Sequence, residues 1–480
     1  MTGPMATPSA DTAPPVVLLM ARKPGFLSEE FAYVSPGQKD ATIYLAPEAL
    51  IVGHVNAAES EGFQRPWVEL FRRQVQNGRA VWTSMGRATT WSDGQFRFSA
   101  LYPGTYKVFT HEWMERDPLT FNSGGQRYGF PPVYFPGANN FAGGTAIQLR
   151  EGVTFSADLS PQRRRYYPVD ISVANAPEGG FGMGVEVLAG GQGGPGYSLG
   201  YNPRTHRIEG WLPDGAYTVE LWSYGPPPGL SGSVQISVQG AAATGNTVTL
   251  VPDADVRVNV AEEFTSTQGP GEGVPPSPPS DHITVSLLPA GEFAQRRRGG
   301  VSHRQPDAAA DEPLTITSIM PGPYWVSVYS GRGFAAAIKY GDTDLLRQPL
   351  VVPPGGLRDP IEVTLRDDGA QIEGFIVESA SNPQGTSPVP NPFTAPHVYL
   401  IPLPDSAGQF MDAWAPGGKF SLQKIPPGDY QVLAFARPQQ NVEYGNAAAM
   451  RKYESLGQEI RLVAGQTAHL QLHLIPEDEQ

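Results

Sequence analysis

The stretch Phe96–Val108, FRFSALYPGTYKV, decides the fold. It ends in Gly104-Thr105-Tyr106-Lys107-Val108, and Gly-x-Tyr-x-Val returns at Gly215–Val219, Gly322–Val326 and Gly428–Val432. The four glycines are separated by 111, 107 and 106 residues. Three residues before each stands an aliphatic side chain: Leu101, Leu212, Ile319 or Ile425. One such copy is an ordinary hairpin turn. Four at near-equal spacing are tandem copies of one small domain.

The pattern describes a turn between two strands. Phe96, Phe98 and Leu101 prepare one buried face with near period-2 alternation. Pro103-Gly104 then supplies a fixed φ followed by a residue free to take positive φ. Tyr106 and Val108 resume the alternation. The third copy keeps the scheme with Leu314, Ile316, Ile319, Gly322, Tyr324 and Val326, and the fourth with Phe420, Leu422, Ile425, Gly428, Tyr430 and Val432. In the second, Pro213-Asp214-Gly215 reads as a turn longer by one residue. Each of Tyr106, Tyr217, Tyr324 and Tyr430 is expected to bury its ring and place its hydroxyl on backbone near the turn, as in a tyrosine corner. Tyr217, after the longer turn, is the expected exception.

The copies resemble the carboxypeptidase regulatory-like domain, whose pattern is a G-x-V opening strand, an Asp-Gly-x-Phe hairpin and then L-x-P-G-x-Y-x-V. The first copy shows Ile51-Val52-Gly53-His54-Val55, Asp93-Gly94-Gln95-Phe96 and Leu101–Val108. The fourth shows Ile372–Val377, Gly418-Lys419-Phe420 and Ile425–Val432. Phe130–Gly137, FPPVYFPG, is similar to a loop of large bacterial envelope proteins built from such repeats. The resemblance is good for copies one and four, weaker for three and poor for two. It implies an all-β chain of tandem seven-stranded, Ig-like/transthyretin-like β-sandwich domains. It also implies a non-catalytic accessory or structural role, and an extracytoplasmic place: secreted, periplasmic or at the cell surface.

Composition agrees with that class. The chain has 480 residues, a prior for three to four domains. With 55 Gly and 49 Pro, about a fifth of it is turn-forming, as suits short strands joined by many turns. A net charge of −13 without a domain-sized basic surface argues against a nucleic-acid partner. Arg163–Arg165 and Arg296–Arg298 read as solvated loop charges. The absence of cysteine removes disulfides, thiol nucleophiles and Cys-zinc sites. The apolar run Val16–Ala21 is far short of the ~20 residues that span a bilayer. Residues 1–15 lack the basic and apolar regions of an export signal.

Six segments follow. Residues 1–15 read as disordered. Residues 16–45 read as the last strands of a repeat whose first half is missing, because Val17–Pro24 is similar to Val432–Pro438. Residues 46–160 form sandwich one, 161–252 a divergent sandwich two, 253–365 sandwich three and 366–480 sandwich four. The Gly-rich stretch Gly179–Tyr201 predicts short or mobile edge strands. Thr265–Ser280 and Pro306–Pro313 read as loop insertions. Asn446–Leu456 is the best helix candidate.

Few residues suggest chemistry. His206-Arg207-Ile208-Glu209 has the H-x-x-E spacing of two zinc ligands, but on a strand i and i+3 face opposite ways, so no metal is expected there. His469 and His473 share a strand face and read as exposed polar residues. His54, His111, His282, His303 and His397 form no ligand set. Asp367-Asp368 and Asp342/Asp344 read as turn residues. No catalytic, cofactor or metal site is assigned. The loop between Trp113 and Phe141 gathers aromatic residues, and Trp113, Tyr128, Tyr134 and Phe135 are its candidate ligand contacts. Its other reading is a self-packed lid on the sandwich.

The expectation is therefore a string of rigid modules with a structural or protein-binding role at the bacterial envelope, a monomer or part of a larger assembly. Carbohydrate binding or adhesion through the loop aromatics is the second reading. A hydrolase, or its accessory subunit, with a site assembled only in space is the third. The partners expected are protein or polysaccharide, with no nucleic acid and no membrane-spanning segment.

Overall fold

The computed structural model describes residues 17–28, 32–34, 37, 39, 43, 45–57, 65–115, 126–177, 182–190, 194–225, 228–265, 283–293, 299–304, 312–377, 395–404, 406, 408–439 and 441–475. Residues 1–15, most of the two predicted insertions, Arg296–Arg298 and His282 lie outside them.

Each Gly-x-Tyr-x-Val copy marks the same event. The strand before it, Gln95–Leu101, Arg207–Pro213, Leu314–Ile319 or Lys419–Ile425, belongs to one sheet. The strand that begins on its glycine, Gly104–Thr110, Gly215–Ser223, Gly322–Ser330 or Gly428–Phe435, belongs to the other. The motif is thus a corner between the two sheets of a sandwich, not a hairpin. The same correction applies to Asp93-Gly94, whose flanking strands Arg79–Thr89 and Gln95–Leu101 lie in different sheets.

The strand before each corner pairs antiparallel with the opening strand of its domain: Ala49–His54, Arg164–Ala174, Ala254–Glu263 or Ala370–Val377. On its other edge that opening strand takes the closing strand of the domain in parallel: Thr154–Ser156, Ala243–Thr249, Ile361–Arg366 or Thr467–His473. Sandwiches one and four are a three-stranded sheet against a four-stranded one, the seven strands expected. The third sets five strands against four. The second is enlarged by strands from the first domain, described below. Each closes on its own apolar core.

All four corner tyrosines are buried, between 0 and 4% exposed. Each hydroxyl donates to the carbonyl four residues upstream: Tyr106 to Tyr102 at 2.7 Å, Tyr217 to Pro213 at 2.9 Å, Tyr324 to Met320 at 2.8 Å and Tyr430 to Pro426 at 2.5 Å. Tyr217 is no exception. Glycine is needed here for two reasons. At Gly104 and Gly322 φ is +157° and +147°, where other residues are strained. At Gly215 a Cβ would lie 2.9 Å from the Tyr217 hydroxyl.

What sets the second copy apart is the strand before the corner, not the turn. In copies one, three and four that strand carries a β-bulge: two residues oppose one at Leu50, Asp255 and Gln371. The second residue of each bulge, Ala100, Ser318 or Lys424, has φ near +57°. This is why the buried positions step by three from Phe98 to Leu101, from Ile316 to Ile319 and from Leu422 to Ile425. The second copy has no bulge here, and its register runs unbroken through Ile208, Gly210 and Leu212.

Other expectations meet the structure as follows. Among the Gly-rich edge strands only Gly200–Asn202 is short, for Met183–Ala189 runs seven residues. The helix candidate is a turn of α-helix at Ala447–Met450 followed by a 3-10 turn at Arg451–Tyr453. The Asn446 side chain caps it by accepting from Ala448 N and Ala449 N. Near the start, Val17–Leu19 pairs with Ala32–Val34 and Phe26–Ser28 with Leu45–Pro47.

Removing one corner gives a direct check. Tyr430→Phe should cost roughly 1–2 kcal/mol by leaving the Pro426 carbonyl without its donor. Tyr430→Ala should cost about 3–5 kcal/mol through the cavity left by the ring. Thermal unfolding of the full chain reads both, and an unchanged transition in Tyr430→Ala would contradict the packing described.

Candidate functional site

The aromatic loop of the first domain is mostly turned inward. Trp113 stacks on Phe130 at 4.7 Å between centroids, and the Arg163 guanidinium lies 3.8 Å from the Tyr128 centroid. Tyr134 is 4% exposed and donates its hydroxyl to the Pro195 carbonyl of the second domain. Phe135 packs edge-on against Phe155 at 5.7 Å. The four candidate contacts therefore make no open row of rings. Two segments of the loop instead extend the sheet of the second domain: Arg127–Phe130 pairs with Arg164–Tyr166, and Trp113–Met114 pairs in turn with Arg127–Phe130. Arg163 is no free loop charge, because it forms a two-point ion pair with Glu115.

The domains are not strung out. In the first, Trp67–Gln76 and Arg79–Thr89 form a long hairpin turning on Asn77-Gly78, with φ of +48° and +69°, as a two-residue turn of this hand requires. Its tip docks on the fourth domain. Gly445 N donates to Gly78 O at 2.8 Å, and a Cβ on Gly78 would fall 2.5 Å from the Tyr444 ring. Arg73 grips Glu443 through both carboxylate oxygens. Burial works against ionising Glu443, but hydrogen bonds from Arg73 and Asn446 outweigh it and hold the carboxyl below its ordinary value. Arg79 stacks 3.4 Å from the Trp325 centroid in the third domain. Phe293 of that domain closes the first domain's outer cluster of Phe71, Trp82, Phe109, Tyr134 and Phe141. A polar cleft of about 600 Å³ remains beside this clasp, with Gln74, Asn77, Asp412, Gln439 and the stacked pair Phe410/Tyr444 in its walls.

A second cleft of about 450 Å³ lies between the first two domains, lined by Trp67, Arg87, His111, Glu186, Ser198 and Trp222. Trp67 is 51% exposed, and Trp222 lies against Gly184, which leaves room for its ring. Behind them Glu69 is buried and accepts from Ser84 at 2.6 Å on Oε1 and from Arg87 at 3.2 Å on Oε2, with the His111 ring against Oε2 as well. Burial pushes the Glu69 carboxyl up, and hydrogen bonds with His111 and Ser84 bring it below its ordinary value. The serine faces the carboxylate rather than the imidazole, so this is not the order of a nucleophile, base and orienting acid.

The other titratable candidates stay apart. His206 sits in the turn before its strand, with φ +50°, rather than on the strand as expected. It meets the Tyr201 hydroxyl, while Glu209 accepts from Asn202 and Thr205. His469 lies 3.8 Å from Glu373 across the parallel pair. His397 is buried against Asp412 at 2.7 Å. Among the described residues no three His, Cys, Asp or Glu side chains could share a metal. Sequence reasoning missed the clasp residues Arg73, Gly78, Glu443 and Tyr444 and the cleft tryptophans Trp67 and Trp222. Asn77-Gly78 between two alternating runs is a readable hairpin signal, but nothing local says where its tip docks.

The clasp can be tested with Arg73→Ala, Glu443→Gln and the double variant. A coupling of about 1–2 kcal/mol is expected, allowing for the partial exposure of Arg73. Because the Glu443 carboxyl is lowered, its contribution is present at neutral pH and is lost as pH falls below the ordinary carboxylate range. Additive effects in chemical unfolding would show that the pair does not hold the domains.

No family model and no curated protein matches the chain. Similar solved structures include the Bacillus anthracis TIE protein, at 9% identity over 98% of this chain and 76% of that one, with a TM-score of 0.16. The Streptococcal ancillary pilin gives 9% identity over 67% and 99%, with a TM-score of 0.22. The minor pilin of Streptococcus agalactiae gives 12% over 43% and 97%, with a TM-score of 0.18. Likenesses this distant carry neither function nor partner over to this chain.

Proposed function

We propose that this chain is a non-catalytic structural protein of the bacterial cell envelope, built from carboxypeptidase regulatory-like domains and acting outside the cytoplasm as a rigid body that holds protein partners. The observation that carries the reading is the clasp. A hairpin of the first domain is fixed to the fourth by a two-point ion pair, a backbone hydrogen bond and a ring seated on a glycine. Such bracing sets the distances between exposed loops and sheet edges, which is what a scaffold needs, whereas an enzyme needs a site with converging reactive groups. The motif resemblance supports the domain family and the compartment. Protease treatment of intact cells should digest the protein while sparing a cytoplasmic marker. Full protection, with recovery in the soluble cytoplasmic fraction, would end this reading.

A second reading, polysaccharide binding, is favoured by one observation: Trp67 and Trp222 line one cleft together with Arg87 and Glu186. Sugar rings stack on tryptophan faces while planar charged groups take their hydroxyls. Calorimetric titration with cellotetraose and chitotetraose should then show millimolar or tighter binding that Trp67→Ala weakens at least ~10-fold, about 1.4 kcal/mol. No heat with either sugar removes this reading.

A further inference from the structure

Glu112 lies two residues past the end of the strand Gly104–Thr110 of the first domain and is buried at the junction with the second. Its backbone N–H donates to the Gly196 carbonyl at 3.0 Å. Its Oε1 accepts from Ser198 N at 2.6 Å and from Ser198 Oγ at 3.1 Å. Together with the Tyr134 hydroxyl on Pro195, these bonds tie the segment 194–198 to the first domain. The other oxygen, Oε2, is buried and has no hydrogen-bond partner, and neither has the buried hydroxyl of Tyr166.

The groups that act on Glu112 come from each element packed on it. They are Tyr166 on the opening strand of the second domain, Tyr197 in the segment 194–198, and Tyr217 on the strand after the corner. All three stay neutral at physiological pH, because burial pushes their hydroxyls up. Arg87, His111 and Glu186 line the neighbouring cleft, with Arg87 and the His111 ring engaged by Glu69. An ionised Glu112 would therefore be a buried charge without a cation to pair with. The Tyr166 hydroxyl and both donors of Ser198 face the carboxyl and favour its ionised form, but burial outweighs them and favours the proton.

We propose that Glu112 is a proton-operated latch between the first and second domains, closed when the carboxyl is neutral and released when it ionises. On release the proton goes to solvent and the carboxylate gains water as the segment 194–198 lifts. Burial raises the Glu112 carboxyl to about 7, despite the opposing hydrogen bonds from Ser198 and Tyr166. A carboxyl raised in the folded state stabilises it fully below the ordinary carboxylate range and loses that contribution as pH rises through about 7. The latch thus weakens from mildly acidic to mildly alkaline pH.

The chain has no cysteine, so spin labels on Thr89→Cys and Ser233→Cys report the separation of the two domains without background. Between pH 5.5 and 8.5 the distance distribution should broaden or lengthen with a midpoint near 7. Glu112→Gln, a neutral match in shape, should hold the acidic distribution throughout. Tyr166→Phe, which removes a hydroxyl that favours the carboxylate, should raise the midpoint by about half a pH unit. A distribution that does not change with pH would overturn the proposal, as would a Glu112→Gln protein that titrates like the parent. Circular dichroism of each variant at pH 5.5 confirms that it is folded before comparison.

Discussion

A hydroxyl that reaches back four residues governs this molecule. At each corner the chain leaves one sheet for the other, with the carbonyls of Tyr102, Met320 and Pro426 just past the end of their strands and that of Pro213 on the last residue of its own. A buried carbonyl without a donor costs about 1–3 kcal/mol. The tyrosine ring fills the core under the corner and its hydroxyl supplies that donor. Ring and bond therefore fix the corner, and the corner fixes which strand opens the second sheet. The same solution serves four domains whose other sequence has drifted far apart.

That economy explains what could be read without coordinates. Strands with one buried face were legible as alternation, as in Leu314–Ile319 and Lys419–Ile425. The bulge left its trace as a step of three between buried positions, which was read only as near-alternation. In the second copy the missing bulge looked like a longer turn, because alternation alone does not separate a residue lost from a strand from one gained in a loop. The aromatic loop hid two short strands, for their partners lie in the next domain and the rings follow no period. The clasp was beyond reach. Arg73 and Glu443 are ordinary surface charges until a fold brings together positions 370 residues apart. The candidate sugar contacts were sought on the ring-rich loop, whereas the rings that face a cleft, Trp67 and Trp222, stand on strands of two different domains.

The two junctions of the first domain are built on opposite electrostatics. Toward the fourth domain a carboxylate is held ionised by an arginine; toward the second a carboxyl sits among tyrosines and favours its proton. Acid therefore loosens one junction and base the other. Both are made together only between the two limits, in mildly acidic to neutral solution. Acid acts within the first domain too, because buried Glu69 is likewise held below its ordinary value by hydrogen bonds with His111 and Ser84.

The parallel pairing of first and last strands in every domain has a mechanical consequence. The chain enters each sandwich at one end of that pair and leaves at the other. Tension along the polypeptide thus slides the two strands past each other and loads all the hydrogen bonds between them at once. An antiparallel pair pulled from one end would open like a zip, bond by bond. In the fourth domain seven consecutive residue pairs, Gln371–Val377 against Thr467–His473, share the load. In the first the run from Leu50 to Val52 is three pairs long with one further bridge, Val55 to Leu159, so under a pull that has already parted the clasp the first domain is where the chain gives way.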